Sequence, residues 1–194
     1  MAAWSVAAAR SVASGVVLVV PADSPDDPTG PLASLGADRI VPGGATRSQS
    51  VRAGLAAVPD EATIIVVHDA ARPLAPASLF AAVVEAVRSP GVEGAIPVLA
   101  VTDTLTRVVG RPGGGTMGPG VDREALVTVQ TTQAFVATAL RAAHLQGGEA
   151  TDDARLLEDR GATVRTVEGH PHNLKLTRPE DLILADALMG TTPR

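Results

Sequence analysis

Asp69 and Arg72 follow directly on an apolar run, Thr63-Ile64-Ile65-Val66-Val67, within the stretch VVHDAARPLAP of residues 66–76. A carboxylate and a guanidinium three residues apart can hold a polar ligand, the acid accepting from hydroxyls and the base meeting an anion. They can equally close on each other as a salt bridge that fixes the turn, and residue types alone leave both readings open. Similar polar residues end the other apolar runs. Gly43 and Gly44 precede Arg47 and Ser50, Thr104 follows the run 94–101, Thr131 follows the run 126–130, and Lys175 stands between Leu174 and Leu176. In a sheet whose strands all end on one side, such residues gather into a ligand site outside the strand tips. The plainer readings are a tight turn for the glycine pair and a solvent-facing position for the lysine. The four histidines lack metal-ligand spacing. His68 reads as a packed strand residue, and His144, His170 and His172 read as surface.

Composition limits the partners. The chain has 194 residues and a net charge of −5, which argues against a nucleic-acid polyanion and leaves room for a small phosphorylated ligand met by a local cluster of cations. Two Phe, one Trp and no Tyr give almost no base-stacking platform. With no cysteine, disulfides and thiolate metal sites are excluded, and a cytoplasmic location is expected. The apolar patch Val16–Val20 imitates a signal peptide but is too short and carries its charge late. No segment approaches the roughly 20 apolar residues that span a bilayer, so no membrane partner is expected.

The elements that must position these residues alternate along the chain. Helices are expected over Ala2–Ser14, Arg47–Ala57, Ala77–Arg88, Val136–Leu145, from Thr151 to Arg160, and over Pro179–Met189. Thr46 with Gln49, and Thr177 with Glu180, have capping-box spacing, and Thr151 reads as a cap. Continuous apolar strands are expected over Val16–Val20, Asp38–Val41, Thr63–Val67, Gly94–Val101, Leu126–Gln130, Val164–Val167 and Leu174–Leu176. Four prolines in residues 21–31 break regular structure there. Residues 102–124 read as an extended arm turning through GRPGGGTMGPG, a tip that matches neither phosphate-binding glycine motif. Alternating helices and continuous apolar strands predict an α/β fold with a mostly parallel sheet and helices on both faces. No repeat or linker divides the chain.

The segments PGGATRSQSV, VHDAARP, VTDTLTRV, GVDREAL, VQTTQAF, TDDARLLE and HNLKLTRPEDL occur in one order over about residues 3–189. In that order the chain resembles the 2-C-methyl-D-erythritol 4-phosphate cytidylyltransferase family. VHDAARP and LKLTRPEDL are shared with ribitol-5-phosphate cytidylyltransferases, while VDREAL after the arm favours the erythritol enzymes. The resemblance implies a single Rossmann-like nucleotidyltransferase domain with a protruding β-arm that makes a homodimer. It implies a reaction of CTP with a sugar-alcohol phosphate, assisted by Mg²⁺, that releases pyrophosphate. Gly43, Gly44 and Ser50 would contact cytosine and Ala70 would lie beside the ribose. Asp69, Arg72, Thr131 and Thr151 would hold the polyol hydroxyls. Lys175 would bind the sugar phosphate, with Thr104 and Arg123 reaching in from the partner's arm. The nearest rival in mechanism is a ribitol-5-phosphate cytidylyltransferase, and the rival of another class is a sugar-phosphate-binding homologue without catalysis. Two departures from the family pattern stand out. Ala45 replaces an expected Asp, and the sequence begins after the strand and glycine-rich loop that grip the CTP phosphates. The expectation is therefore weak CTP binding by the 194-residue chain alone.

Overall fold

The computed structural model describes residues 1–24, 32–145, 150 and 152–191. The first helix, α1 (Ala2–Arg10), precedes β1 (Val17–Val20), which pairs in parallel with β2 (Arg39–Pro42). Helix α2 (Arg47–Ala57) packs on both strands. Its start is set by local chemistry: Thr46 Oγ1 accepts from Gln49 N–H at 3.2 Å, and Gln49 Oε1 accepts from Ala45 N–H at 2.9 Å. The expected box is therefore shifted by one residue at its return bond.

The larger sheet contains β3 (Ile64–Val67), β4 (Gly94–Ala100), β7 (Val127–Val129), β8 (Gln133–Val136) and β9 (Val164–Glu168). The expectation of a mostly parallel sheet needs refinement here. β8 pairs antiparallel with both β3 and β4, β7 pairs antiparallel with β4, and only the β4–β9 pairing is parallel. β3, β4 and β9 thus run one way, and an opposed strand is inserted between β3 and β4. β7 and β8 lie in succession along the same edge of β4, separated by Gln130-Thr131-Thr132. At this break Gln130 N–H still donates to Pro97 O at 2.8 Å. β8 falls in the stretch between the expected strand Leu126–Gln130 and the expected helix Val136–Leu145, to which the sequence assigns no element, and all of Gln130–Phe135 is buried.

Side-chain alternation on β8 ties the layers together. Phe135 belongs to a core with Leu55, Ile65, Leu140 and Leu157, on the side of α2, α4 (Ala137–Leu145) and α5 (Asp153–Glu158). Ala134 belongs to a second core with Val83, Val87 and Ala95, under α3 (Ala77–Val87). Gly94 makes room for the Phe135 ring: a Cβ there would lie 3.0 Å from Cδ1 of that ring and 3.3 Å from Val164 Cγ2.

Other expectations are corrected by side-chain chemistry. Helix α5 is capped by Asp152, whose Oδ1 accepts from Ala154 N–H at 2.8 Å, and the expected cap Thr151 lies outside the described residues. Leu174–Leu176 is irregular rather than a strand, tied down by Leu176 N–H to Ala71 O at 2.8 Å. At α6 (Pro179–Thr191) Asp181, not Glu180, accepts from Thr177 and Arg178 N–H, at 2.7 and 2.9 Å. Strands β5 (Leu105–Val109) and β6 (Thr116–Val121) pair antiparallel only with each other and carry exposed Val109 and Met117, the latter 84% exposed.

Replacing Phe135 by alanine should remove a fully buried ring from the first of these cores. We expect a loss of about 3–5 kcal/mol in urea unfolding at constant m-value. A loss under about 1 kcal/mol would contradict the packing described.

Candidate active site

The opposed strand explains the position of the site. β3 runs out at Val67, opposite Gln133, so the break after β7 falls beside the turn that follows β3. Thr131 Oγ1 accepts from Asp69 N–H at 3.1 Å across that junction. The turn itself closes by Arg72 N–H to Asp69 O at 2.9 Å.

Asp69 and Arg72 do not pair with each other. The Asp69 carboxylate binds two other cations, Lys175 Nζ at 3.0 Å on Oδ2 and Arg47 Nε at 3.9 Å on Oδ1. Arg72 Nη1 instead donates to Asn173 O at 2.7 Å. The salt-bridge reading of the turn is thereby set aside. Two cations and a carboxylate face one another at the strand tips, which is where a phosphorylated ligand can be met.

Lys175 is delivered by a segment clamped through buried amides. Asn173 Nδ2 donates to Thr131 O at 2.7 Å and to Gln130 Oε1 at 3.2 Å. Gln130 Nε2 donates to His170 O at 3.1 Å, and its Oε1 also accepts from His170 N–H at 3.1 Å. Gln130 and Asn173 are both buried, so each missing bond would leave an amide group unsatisfied. Neither was singled out by the sequence. One signal was available for Lys175: it is the only lysine among 16 basic residues, the rest being arginine.

The remaining expected residues lie in separate settings. Gly43 and Gly44 sit against the start of α2. A Cβ on Gly43 would meet Ser50 Oγ at 2.7 Å, and one on Gly44 would meet Gln49 Cβ at 2.3 Å. Ser50 Oγ accepts from Gly44 N–H at 3.1 Å and donates to Thr46 O at 3.0 Å. Ala70 is exposed within the turn, its carbonyl accepting from Ser5 Oγ at 3.4 Å. Thr104 and Arg123 lie at the base of the β5–β6 arm, where Arg123 Nη1 donates to Thr102 O. Among the described residues no hydrogen bond or ion pair joins either one to Asp69, Arg72 or Lys175. Thr151 lies outside the described residues, but its neighbour Asp152 accepts from Gln133 Nε2 at 2.7 Å.

Two histidines matter to the site's surroundings. His144, expected at the surface, is buried, and its Nε2 lies 2.9 Å from Asp153 Oδ1. Asp153 also accepts from Arg47 Nη2 at 2.7 Å. Burial raises the Asp153 pKa, but the bonds from His144 and Arg47 outweigh it and hold the carboxyl below its ordinary range. His68 packs against Phe80 with ring centroids 5.0 Å apart, and its Nε2 donates to Arg72 O at 3.1 Å. Burial pushes its pKa down to about 4.

Solved structures of the same architecture place this arrangement in a class. The structure superposes with a TM-score of 0.82 on the crystal structure of 2-C-methyl-D-erythritol 4-phosphate cytidylyltransferase from Thermus thermophilus, at 40% identity, covering 97% of this chain and 87% of that one. A structure of 4-diphosphocytidyl-2C-methyl-D-erythritol synthase gives a TM-score of 0.82 at 30% identity, covering 96% of this chain and 88% of that one. The fold is the Rossmann-like fold of a nucleotidyltransferase. A family model described as 2-C-methyl-D-erythritol 4-phosphate cytidylyltransferase matches residues 1–191, and the chain belongs to that family. Proteins of that name from Saccharopolyspora erythraea and Nocardia farcinica are 45% and 42% identical to it. The matches cover 90% and 93% of this chain and 79% and 76% of those proteins.

The low pKa of His68 gives a sign-definite expectation. Unfolded histidine takes its proton near 6.5 and folded His68 only near 4, so the unfolded state binds more protons in between. The His68 contribution to stability is complete above about pH 6.5, falls as the pH drops toward 4, and then levels off. The loss should be on the order of 2–3 kcal/mol. His68→Gln, neutral throughout, should flatten this part of the profile when urea midpoints at about pH 7 and about pH 5 are compared. An unchanged slope would contradict the burial of a neutral ring.

Proposed function

We propose that the protein transfers the cytidylyl group of CTP to 2-C-methyl-D-erythritol 4-phosphate, giving 4-CDP-2-C-methyl-D-erythritol and pyrophosphate in non-mevalonate isoprenoid synthesis. The observation that carries this reading is the placement of the single lysine beside Asp69 at the strand tips, in a chain of this family. In the reaction a phosphate oxygen of the sugar attacks the α-phosphorus of CTP, and the bond to the β-phosphate breaks. Such a transfer needs little covalent help. It needs cations that bring two polyanions together and offset the charge of an in-line transition state.

The roles are those the family resemblance implies, and the pairing of Lys175 with Asp69 at the strand tips supports the first of them. Lys175 meets the sugar phosphate, and Asp69, Arg72, Thr131 and Thr151 hold the polyol hydroxyls. Gly43, Gly44 and Ser50 line the place of the cytosine, with Ala70 beside the ribose. Mg²⁺ belongs to this reading as an ion that enters on the triphosphate and screens its charge. Magnesium is commonly carried in this way, and the described residues contain no group of three His, Cys, Asp or Glu that could hold it as a resident ion. A cytoplasmic location accords with the reading. Among the described residues no helix is long and apolar enough to cross a membrane.

Pyrophosphate release, with CTP raised to millimolar levels, tests the reading. We expect turnover with methylerythritol phosphate and far less with ribitol 5-phosphate; the reverse order would favour the ribitol reading. Lys175→Ala should lower turnover by roughly a hundredfold or more while the circular dichroism spectrum is kept. A change of only a few-fold would remove Lys175 from the reaction.

The arm enters as a dimer contact. Its two strands pair only with each other and expose Val108, Val109 and Met117, and an isolated hairpin of this kind has marginal stability. Thr104 and Arg123 would then complete the neighbouring site. Sedimentation at micromolar concentration should give a dimer, with Met117→Lys shifting it toward monomer. A monomeric parent would overturn this part.

A further inference from the structure

A chain of hydrogen-bonded and ion-paired side chains crosses the site and ends at Lys175. It runs from His144 through Asp153, Arg47 and Asp69 to the lysine, drawing on α4, α5, the first residue of α2, the turn after β3 and the segment before α6. Its two ends differ. The Asp153 side chain is 1% exposed and that of Lys175 is 48% exposed. Arg47 therefore stands between an anchored carboxylate and one at the site.

Lys175 cannot give its charge to a phosphate while it is given to Asp69. If the amine turns to an incoming phosphate, the Asp69 carboxylate is left beside a second anion, and their repulsion opposes binding. Arg47 faces the other oxygen of the same carboxylate. Arg72 adds positive field from the turn but forms no ion pair with Asp69, its Nη1 being committed to Asn173 O. We infer that Arg47 is a positioning residue: held by the buried Asp153–His144 pair, it keeps Asp69 paired and in place while Lys175 exchanges that carboxylate for a phosphate. The inference rests on the reading of Lys175 as the phosphate-binding cation, and adds to it a residue and an exchange of ion-pair partners. Without Arg47, Lys175 is the one remaining ion-pair partner of Asp69 among the described residues and is retained there.

The single lysine makes the exchange observable without turnover. Isotope-labelled lysine gives one side-chain resonance in the parent protein, from Lys175, and inorganic phosphate serves as the probe. We expect a saturable shift of that resonance in the parent. In Arg47→Gln the dissociation constant for phosphate should rise about tenfold, the factor attached to one uncompensated charge at a partly exposed site. Adding Asp69→Asn in that background should bring it back within about threefold of the parent, because no carboxylate then competes for the amine. Parental affinity in Arg47→Gln overturns the role of Arg47. A double variant as weak as Arg47→Gln also overturns it, since the loss is then one of general structure. If Arg47→Gln fails to fold, Arg47→Lys decides. It keeps a cation for Asp153 but cannot span to Asp69, so phosphate should bind about threefold more weakly and recover with Asp69→Asn; parental affinity again overturns the inference. A parent whose Lys175 resonance ignores phosphate refutes the phosphate reading itself, and the inference with it.

Discussion

The Asp69 carboxylate constrains everything near it. It stands at the end of an apolar strand, partly withdrawn from water, where an unpaired charge would be costly. Its pairing draws in elements with no other reason to meet. α2 must begin where Arg47 can reach, the loop before α6 must return to bring Lys175 over the turn, and the β7–β8 strand must break where Thr131 can accept from the Asp69 amide. Shifting any one of these leaves a polar group without a partner beside a hydrophobic core.

Accuracy at this point comes from neutral groups more than from ions. The ion pairs of Lys175 and Asp69 are partly solvated, and such pairs hold side chains loosely. Gln130 and Asn173 fix the backbone that carries the lysine through five buried or part-buried hydrogen bonds, with directional demands that charges lack. The division suits transfer between phosphates, where cations must be placed closely yet stay free to change partners.

The sequence made some of this legible for a physical reason and hid the rest for another. Apolar runs closed by polar residues marked β1, β3 and β4 and the tips that carry Asp69 and Arg72, because burial on both faces of a sheet imposes that pattern. β8 escaped because its Gln133 is fully buried, with Nε2 donating to Asp152, so that a polar letter occupies a core position. Leu174–Leu176 carries a strand's composition but spends its hydrogen bonding on the turn after β3. His144 looked superficial since nothing in its own helix reveals that Asp153 is packed against it. Local periodicity reports burial, and it is silent on which distant polar group satisfies which.

The sequence separations within the site carry a consequence for biosynthesis. Thr131 lies 62 residues beyond Asp69, and Asn173 lies 101 residues beyond Arg72. During synthesis the turn with Asp69 and Arg72 leaves the ribosome long before the groups that complete it. This cluster at the strand tips consequently cannot assemble early on a nascent chain. It forms only when the last third of the polypeptide threads back, so ligand cannot template the early stages of folding, and the half-made sheet must be kept from other chains by means other than its substrate.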